Sequence, residues 1–110
     1  MAGVLNVNET LPVHFTNDEI CMGPDAGLNI KKSVFIEDNS DVYNGCTTAW
    51  RGLEVKSNAK LQINNSRVRG AVYAVRPLIS ANVNLSNCDF YNNFICLFVY
   101  ILIFICVFRI

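Results

Sequence analysis

The chain holds little that reaction chemistry can use. Its one histidine, His14, stands alone in PVHF, so no Ser–His–Asp or Cys–His set and no histidine cluster for a metal can be assembled. Nine basic and nine acidic residues cancel, with no block of like sign, which argues against nucleic acid as a partner. Five cysteines, Cys21, Cys46, Cys88, Cys96 and Cys106, offer no CxxC pair and no disulfide-scaffold spacing. The opening MAGVLNVNETLP has neither a basic n-region nor an apolar h-region, so no secretory signal peptide is expected in this chain. At 110 residues one domain is the ceiling.

What is present is a repeat. Leu28, Ile30, Ser33 and Phe35 return as Leu61, Ile63, Ser66 and Val68, then as Val83, Leu85, Cys88 and Phe90, each set reading i, i+2, i+5, i+7. The last two copies lie 22 residues apart and the first two 33 apart, as if 11 residues had been inserted. A short alternating pair precedes each set: Ile20/Met22, Leu53/Val55 and Tyr73/Val75. Self-similarity at such a period marks a solenoid, in which each repeat buries its apolar face against its neighbours. Alternation at two, with no i, i+3, i+4, i+7 pattern, favours strands over helices. Asn, Ser, Lys and Gly interrupt the strands, and the fourteen asparagines suit a turn-rich architecture. The expected fold is all-β: a right-handed single-stranded parallel β-helix of about three coils, a fragment with open ends.

In this alignment Leu53, Val55, Leu61, Ile63, Ser66 and Val68 point inward, followed by Tyr73, Val75, Val83, Leu85, Cys88 and Phe90 one coil on. Ala74 points out. Ser33, Ser66 and Cys88 form a column where a tight bend accepts only a small side chain. Asn65 and Asn87 stack in the preceding turn, where amides can bond from coil to coil. The chain then divides into an irregular or partial coil at 1–19, β-helix coils at 20–97 with an insertion at 36–49, and an apolar tail at 98–110. The uncharged run at 94–108 spans roughly 22 Å as a helix, short of a hydrocarbon core of roughly 30 Å. Ile95 and Leu97 fall where another coil's first strand belongs, after which the polar turns vanish. A frame slip or truncation is the expectation, and a membrane anchor is the alternative.

The segments MGPDAGLNI, KKSVF, a Cys46 shortly before AWRGLEV, AKLQINNSRV, GAVYAV and NVNLSNCDFYNN together resemble the right-handed β-helix modules of large secreted surface proteins of Bacteroidetes-type bacteria, over residues 22–93. The resemblance implies a pectin-lyase-like superhelix in an exported, often adhesin-like protein with a C-terminal sorting signal, held at the cell surface. The chain departs from that pattern in that neither a signal peptide nor a sorting domain is expected in it, and its last seventeen residues leave the repeat. A shared fold implies no chemistry by itself.

Glycoside cleavage needs two carboxylates roughly 5 to 9.5 Å apart, so they should share a register on coils stacked about 4.8 Å apart. In this alignment they do not: Glu54 falls beside Ala74 and Cys21, and Asp89 beside Arg67 and Val34. Arg67, Arg69 and Arg76 read as a solvated edge. Glu37, Asp38 and Asp41 cluster in the insertion, where calcium is the one cofactor their oxygens suggest, although no Asp-Gly calcium-loop pattern supports it. The expected role is therefore a non-catalytic structural or adhesive module. Its ligand surface would be Trp50, Glu54, Lys56, Asn64, Arg76 and Tyr91, for a polysaccharide or a surface protein, with flanking coils of the parent chain as further partners. Trp50 also reads as a cap of the insertion against the core. A fragment of a polysaccharide lyase or hydrolase, and a small membrane-anchored protein, are the rivals.

Overall fold

Short alternating segments separated by αL-tolerant residues wind into a parallel β-solenoid of about four turns, described by a computed structural model over residues 3–45, 48–99, 102–104 and 108–109. Each turn contributes one strand to each of three sheets. Sheet A takes β1 (Val4–Val7), β4 (Gly27–Ile30), β7 (Trp50–Val55), β10 (Ala71–Pro77) and β13 (Ile95–Val99). Sheet B takes β2 (Val13–Thr16), β5 (Ser33–Glu37), β8 (Lys60–Asn64) and β11 (Asn82–Ser86). Sheet C takes β3 (Glu19–Met22), β6 (Asp41–Asn44), β9 (Arg67–Arg69) and β12 (Asp89–Tyr91). All neighbours in these three series run parallel.

The turn count exceeds the expected three because residues 3–22 already make a turn, β1 to β3, which goes beyond the partial coil and replaces the irregular segment, the two alternatives for 1–19. The register differs too. Leu28 and Ile30 lie opposite Leu53 and Val55 in sheet A, while Leu61 and Ile63 face Val34 and Ile36 in sheet B. Two sheets carry the same i, i+2 signature, so an alignment on apolar residues alone confuses them. The slip is six residues for Leu61 and Ile63 but seven for Val68, whose partner is Val42 rather than Phe35, and an odd slip reverses sides: Val34 and Ile36 are fully buried, and Phe35, expected inside, stands on the outer face. Likewise Ile20 and Met22 belong to sheet C, with Ile20 opposite Val42, not to sheet A. Of the expected insertion, residues 41–44 are strand β6 and pair with both neighbouring turns.

The core is one cluster running the length of the coil, with Leu28, Leu53, Leu61, Ile63, Val68 and Phe90 among its fully buried members. Each such side chain contributes roughly 1.5–3 kcal/mol of transfer free energy. Burial fails only toward the ends, where Val13 and Phe15 in the first turn and Val83 and Leu85 in the fourth are half-buried.

One bulge departs from the regular ladder. Tyr73 faces Gly52 and Val75 faces Leu53, so β10 carries one residue more than β7 between them. Ala74 is therefore fully buried beside Val75, and Tyr73 turns to the outer face, the reverse of their expected sides.

Ile95 and Leu97 pair with Tyr73 and Val75, as the spacing predicts for a further turn. The chain then reverses. β14 (Leu102–Phe104) lies antiparallel on β13, and β15 (Phe108–Arg109) antiparallel on β12, which closes those edges of sheets A and C. Among the described residues no helix is long and apolar enough to cross a membrane. Cys46, Cys106 and the remainder of the expected tail lie outside the described residues.

Candidate functional site

The corner between sheets B and C repeats one five-residue element on every turn: Asn17-Asp18-Glu19-Ile20-Cys21, Asn39-Ser40-Asp41-Val42-Tyr43, Asn65-Ser66-Arg67-Val68-Arg69 and Asn87-Cys88-Asp89-Phe90-Tyr91. Each position does one job. The asparagine holds a left-handed backbone, with φ between 49° and 68° in all four turns, which Asn tolerates better than other non-glycine residues. The second residue turns inward in the last three turns, as Ser40, Ser66 and Cys88, while Asp18 in the first is exposed; the fourth fills the core, and the third and fifth stand on the outer face of sheet C.

Hydrogen bonds tie these corners together. Asn39 N–H donates to Asn65 O (2.8 Å) and Asn65 N–H to Ser86 O (3.0 Å). The Asn87 amide donates to Asn65 Oδ1 at 2.5 Å, the coil-to-coil bond expected of that pair. Inside, the small-residue column is Ser40, Ser66 and Cys88 rather than Ser33, because Ser40 occupies the same element in its turn. Ser66 Oγ accepts from Ser40 N–H (3.2 Å) and donates to Asn64 O (2.8 Å), and the Cys88 thiol donates to Ile63 O (2.9 Å). Burial pushes the Cys88 thiol pKa up, against the lowering effect of backbone bonds around Ser86 and Ser66.

Outside, register builds two ladders. Glu19, Asp41, Arg67 and Asp89 form the first. Cys21 pairs with Tyr43 in the second, and Arg69 with Tyr91. Asp41 joins them: its carboxylate takes Arg69 Nε at 3.1 Å and Nη2 at 2.9 Å, and Arg67 Nε lies 3.8 Å away. The Asp41 hydrogen bond raises the Arg69 guanidinium above its usual range. That guanidinium also sits 4.8 Å from the Tyr43 ring centre and 5.8 Å from Tyr91. Tyr43 is raised in turn by burial and then by the neighbouring Cys21 and Glu19 charges. Beside the ladders an open groove of about 280 Å³ is lined by Asn39, Asn65, Ser66, Arg67, Asn87 and Asp89.

Of the expected ligand residues, Glu54, Lys56 and Arg76 meet, while Trp50, Asn64 and Tyr91 lie elsewhere. Trp50 is wholly buried, its Nε1–H bonded to Arg69 O at 2.8 Å, so it braces the corner into sheet A and presents no ring to solvent. Glu54, with Lys56 and Arg76 as its ion-pair partners, lies on the outer face of sheet A. Asn64 belongs to sheet B. Tyr91 alone stands at the groove's side of the molecule. The carboxylate alignment is corrected as well: Glu19 lies directly opposite Asp41, while Glu54 faces Asn29 and Arg76. Nor are Arg67 and Arg69 a loose edge with Arg76, since Asp41 fixes both on sheet C.

The three acidic residues suggested for calcium part company: Glu37 meets His14 Nδ1 (2.6 Å) on sheet B, Asp41 meets arginines on sheet C, and Asp38 occupies the turn between. Among the described residues no three His, Cys, Asp or Glu side chains converge as a metal-holding group. No family model, curated protein or solved structure matches the chain.

Proposed function

We propose that this solenoid is a non-catalytic structural or adhesive module that holds an extended polysaccharide along the B–C corner. The observation that carries the reading is the groove of three asparagines on successive turns, flanked by Arg67 and Asp89. Sugar hydroxyls donate and accept at once. Carboxamides do the same, and a guanidinium and a carboxylate add charge-assisted bonds to ring oxygens and hydroxyls. Tyr43 and Tyr91, half-exposed and steadied by Arg69, supply ring surface beside the groove. The resemblance to exported, pectin-lyase-like surface modules supports a right-handed coil and a place at the cell surface, where such polymers are met.

The test is binding of the full chain to a panel of soluble neutral and acidic polysaccharides, with and without calcium. Binding that weakens at least tenfold in Arg67→Ala and Asn65→Ala, with unchanged circular dichroism, supports the proposal. Uniform failure across the panel, or binding untouched by both substitutions, rejects it. The direct register of Glu19 with Asp41 favours a second reading, a piece of a polysaccharide-cleaving enzyme. Both Asp41 oxygens are engaged by Arg69, which leaves that carboxylate a positioning group rather than a proton donor. New reducing ends or unsaturated products in the same incubations would favour cleavage over binding.

A further inference from the structure

The fold sorts charges that the sequence mixes. The A–B corner lies between the Asn6–Asn29–Glu54–Arg76 column of sheet A and the Ser33–Lys60–Asn82 column that heads sheet B. It comprises residues 6–12, 29–33, 54–60 and 76–82. Its charged groups are the chain's four lysines, Lys31, Lys32, Lys56 and Lys60, with Arg76, against Glu9 and Glu54, a net of +3. The B–C corner, bounded in the same way at 16–19, 37–41, 64–67 and 86–89, sets six carboxylates against Arg67 alone, a net of −5. Glu54 pairs with Lys56 and Arg76. Lys31, Lys32 and Lys60 form no ion pair among the described residues.

The same corner carries the two most exposed large aliphatic groups among the described side chains, Leu11 at 78 % and Ile79 at 66 %. The backbone imposes the exposure of Ile79. Ala59 N–H donates to Lys56 O and Ala81 N–H to Leu78 O, both at 3.0 Å, and Asn58 and Ser80 share a left-handed φ of 66° and 67°. Ile79 therefore takes the outward place that Ser57 holds one turn earlier. Leu11 in the first turn and Ile79 in the fourth stand three coil rises apart, about 14 Å, with the lysines on the two turns between.

A lipid bilayer is the partner that uses both kinds of group, headgroup phosphates for the ammoniums and the acyl boundary for the aliphatics. An acidic polymer in water would leave Leu11 and Ile79 idle. We propose that the A–B corner rests on an anionic lipid bilayer, with Lys31, Lys32 and Lys60 against the phosphates and Leu11 and Ile79 in the interface. The same field repels the carboxylates of the B–C corner, which turns the asparagine groove toward water.

The probes are vesicles of phosphatidylcholine alone, and with about 30 mol % phosphatidylglycerol, co-sedimented with the full chain. Binding to the anionic vesicles is expected to be at least tenfold tighter at about 50 mM salt, and most of that advantage should vanish at about 500 mM. Lys31→Glu/Lys32→Glu should abolish the preference for anionic vesicles. Leu11→Ser/Ile79→Ser should weaken binding at least threefold, each variant keeping its circular dichroism. Arg67→Ala and Asn65→Ala, which test the groove, should leave vesicle binding unchanged, so either proposal can fail without the other. Equal binding to both vesicles, the result an apolar tail alone would give, would overturn the proposal. So would anionic binding that either double substitution leaves intact. Lysine-dependent retention of soluble polygalacturonate with no vesicle binding would also overturn it, since an acidic polymer would then be the occupant.

Discussion

Gly52 is the position at which one methyl group does the most damage. Its φ is 135°, a backbone conformation L side chains rarely adopt, and Tyr73 of the next turn lies directly over it. A Cβ there would stand 2.5 Å from Tyr73 Cδ2 and 2.8 Å from Cε2, with the Tyr73 carbonyl oxygen closer still. Ordinary contact begins near 3.4 Å, so β10 must lift from β7 by well over 1 Å at the bulge, the carbonyl setting the distance. Backbone strain of about 2 kcal/mol and overpacking of a similar size put Gly52→Ala about 4 kcal/mol below wild type. That is a large share of the roughly 5–15 kcal/mol available to a chain of this size. With a urea slope of about 1.5 kcal/mol/M, the midpoint should fall by roughly 2–3 M. Gly27, the neighbouring rung, is the control. Its Cβ would meet Arg51 Cβ at 3.2 Å and Gly52 O at 3.3 Å, so Gly27→Ala should cost under about 1 kcal/mol. Because a carbonyl and not only a ring obstructs Gly52, removing the ring should restore less than half the loss in Gly52→Ala/Tyr73→Ala. A Gly52→Ala protein within about 1 kcal/mol of wild type, or one cured by Tyr73→Ala, would refute the reasoning.

Other consequences can be checked on the same material. Asn65→Ala loses the Asn87 bond and a residue that tolerates φ 49°, and should cost about 1–2 kcal/mol by urea unfolding, whereas Asn65→Gly keeps the backbone freedom and should cost less. Cys88 is raised by burial, so the unfolded thiol ionises first: stability from this group falls as pH climbs past about 8.5 toward the folded value. Cys88→Ser, which matches Ser40 and Ser66 in the column, should remove that alkaline slope at a cost under about 1.5 kcal/mol, read from urea midpoints between pH 7 and 10. Peptide-resolved alkylation of the native protein should label exposed Cys21 well before Cys88. Trp50, the chain's one tryptophan, should emit blue-shifted light that resists acrylamide until global unfolding, and Trp50→Phe, which strands the Arg69 carbonyl, should cost about 1–3 kcal/mol.

The solenoid itself was legible because strand alternation and a 22-residue return are imposed on the whole inner surface at once. The lining of the last two full turns, Leu61/Ile63 beneath Val83/Leu85 and Val68 beneath Phe90, follows directly from that return. The earlier turns were misread because Leu28/Ile30 and Val34/Ile36 carry the same signature on two different sheets, and hydrophobicity alone has no means of telling them apart. The asparagine could have told them apart. Asn39 followed by Ser40, like Asn65 by Ser66 and Asn87 by Cys88, marks the B–C corner by backbone chirality rather than by greasiness. Anchoring on it places Asp41 beside Arg67 and exposes the arginine–tyrosine ladder. The sides of Tyr73 and Ala74 depend on a bulge, which leaves no mark on the local pattern, whereas Trp50 as a cap against the core was readable from its place before the Gly52-Leu53 strand.

The asparagine corner is also a ruler. Its rungs rise by the spacing between coils, about 4.8 Å, and the register along sheet C fixes that interval. A polymer touching more than one rung must offer matching groups at that interval or a multiple of it. Selectivity would then reside in the pitch of the polymer's backbone, with the identity of its end groups irrelevant. Affinity should climb with oligomer length while Asn39, Asn65 and Asn87 are engaged in turn, then level off once the third is reached.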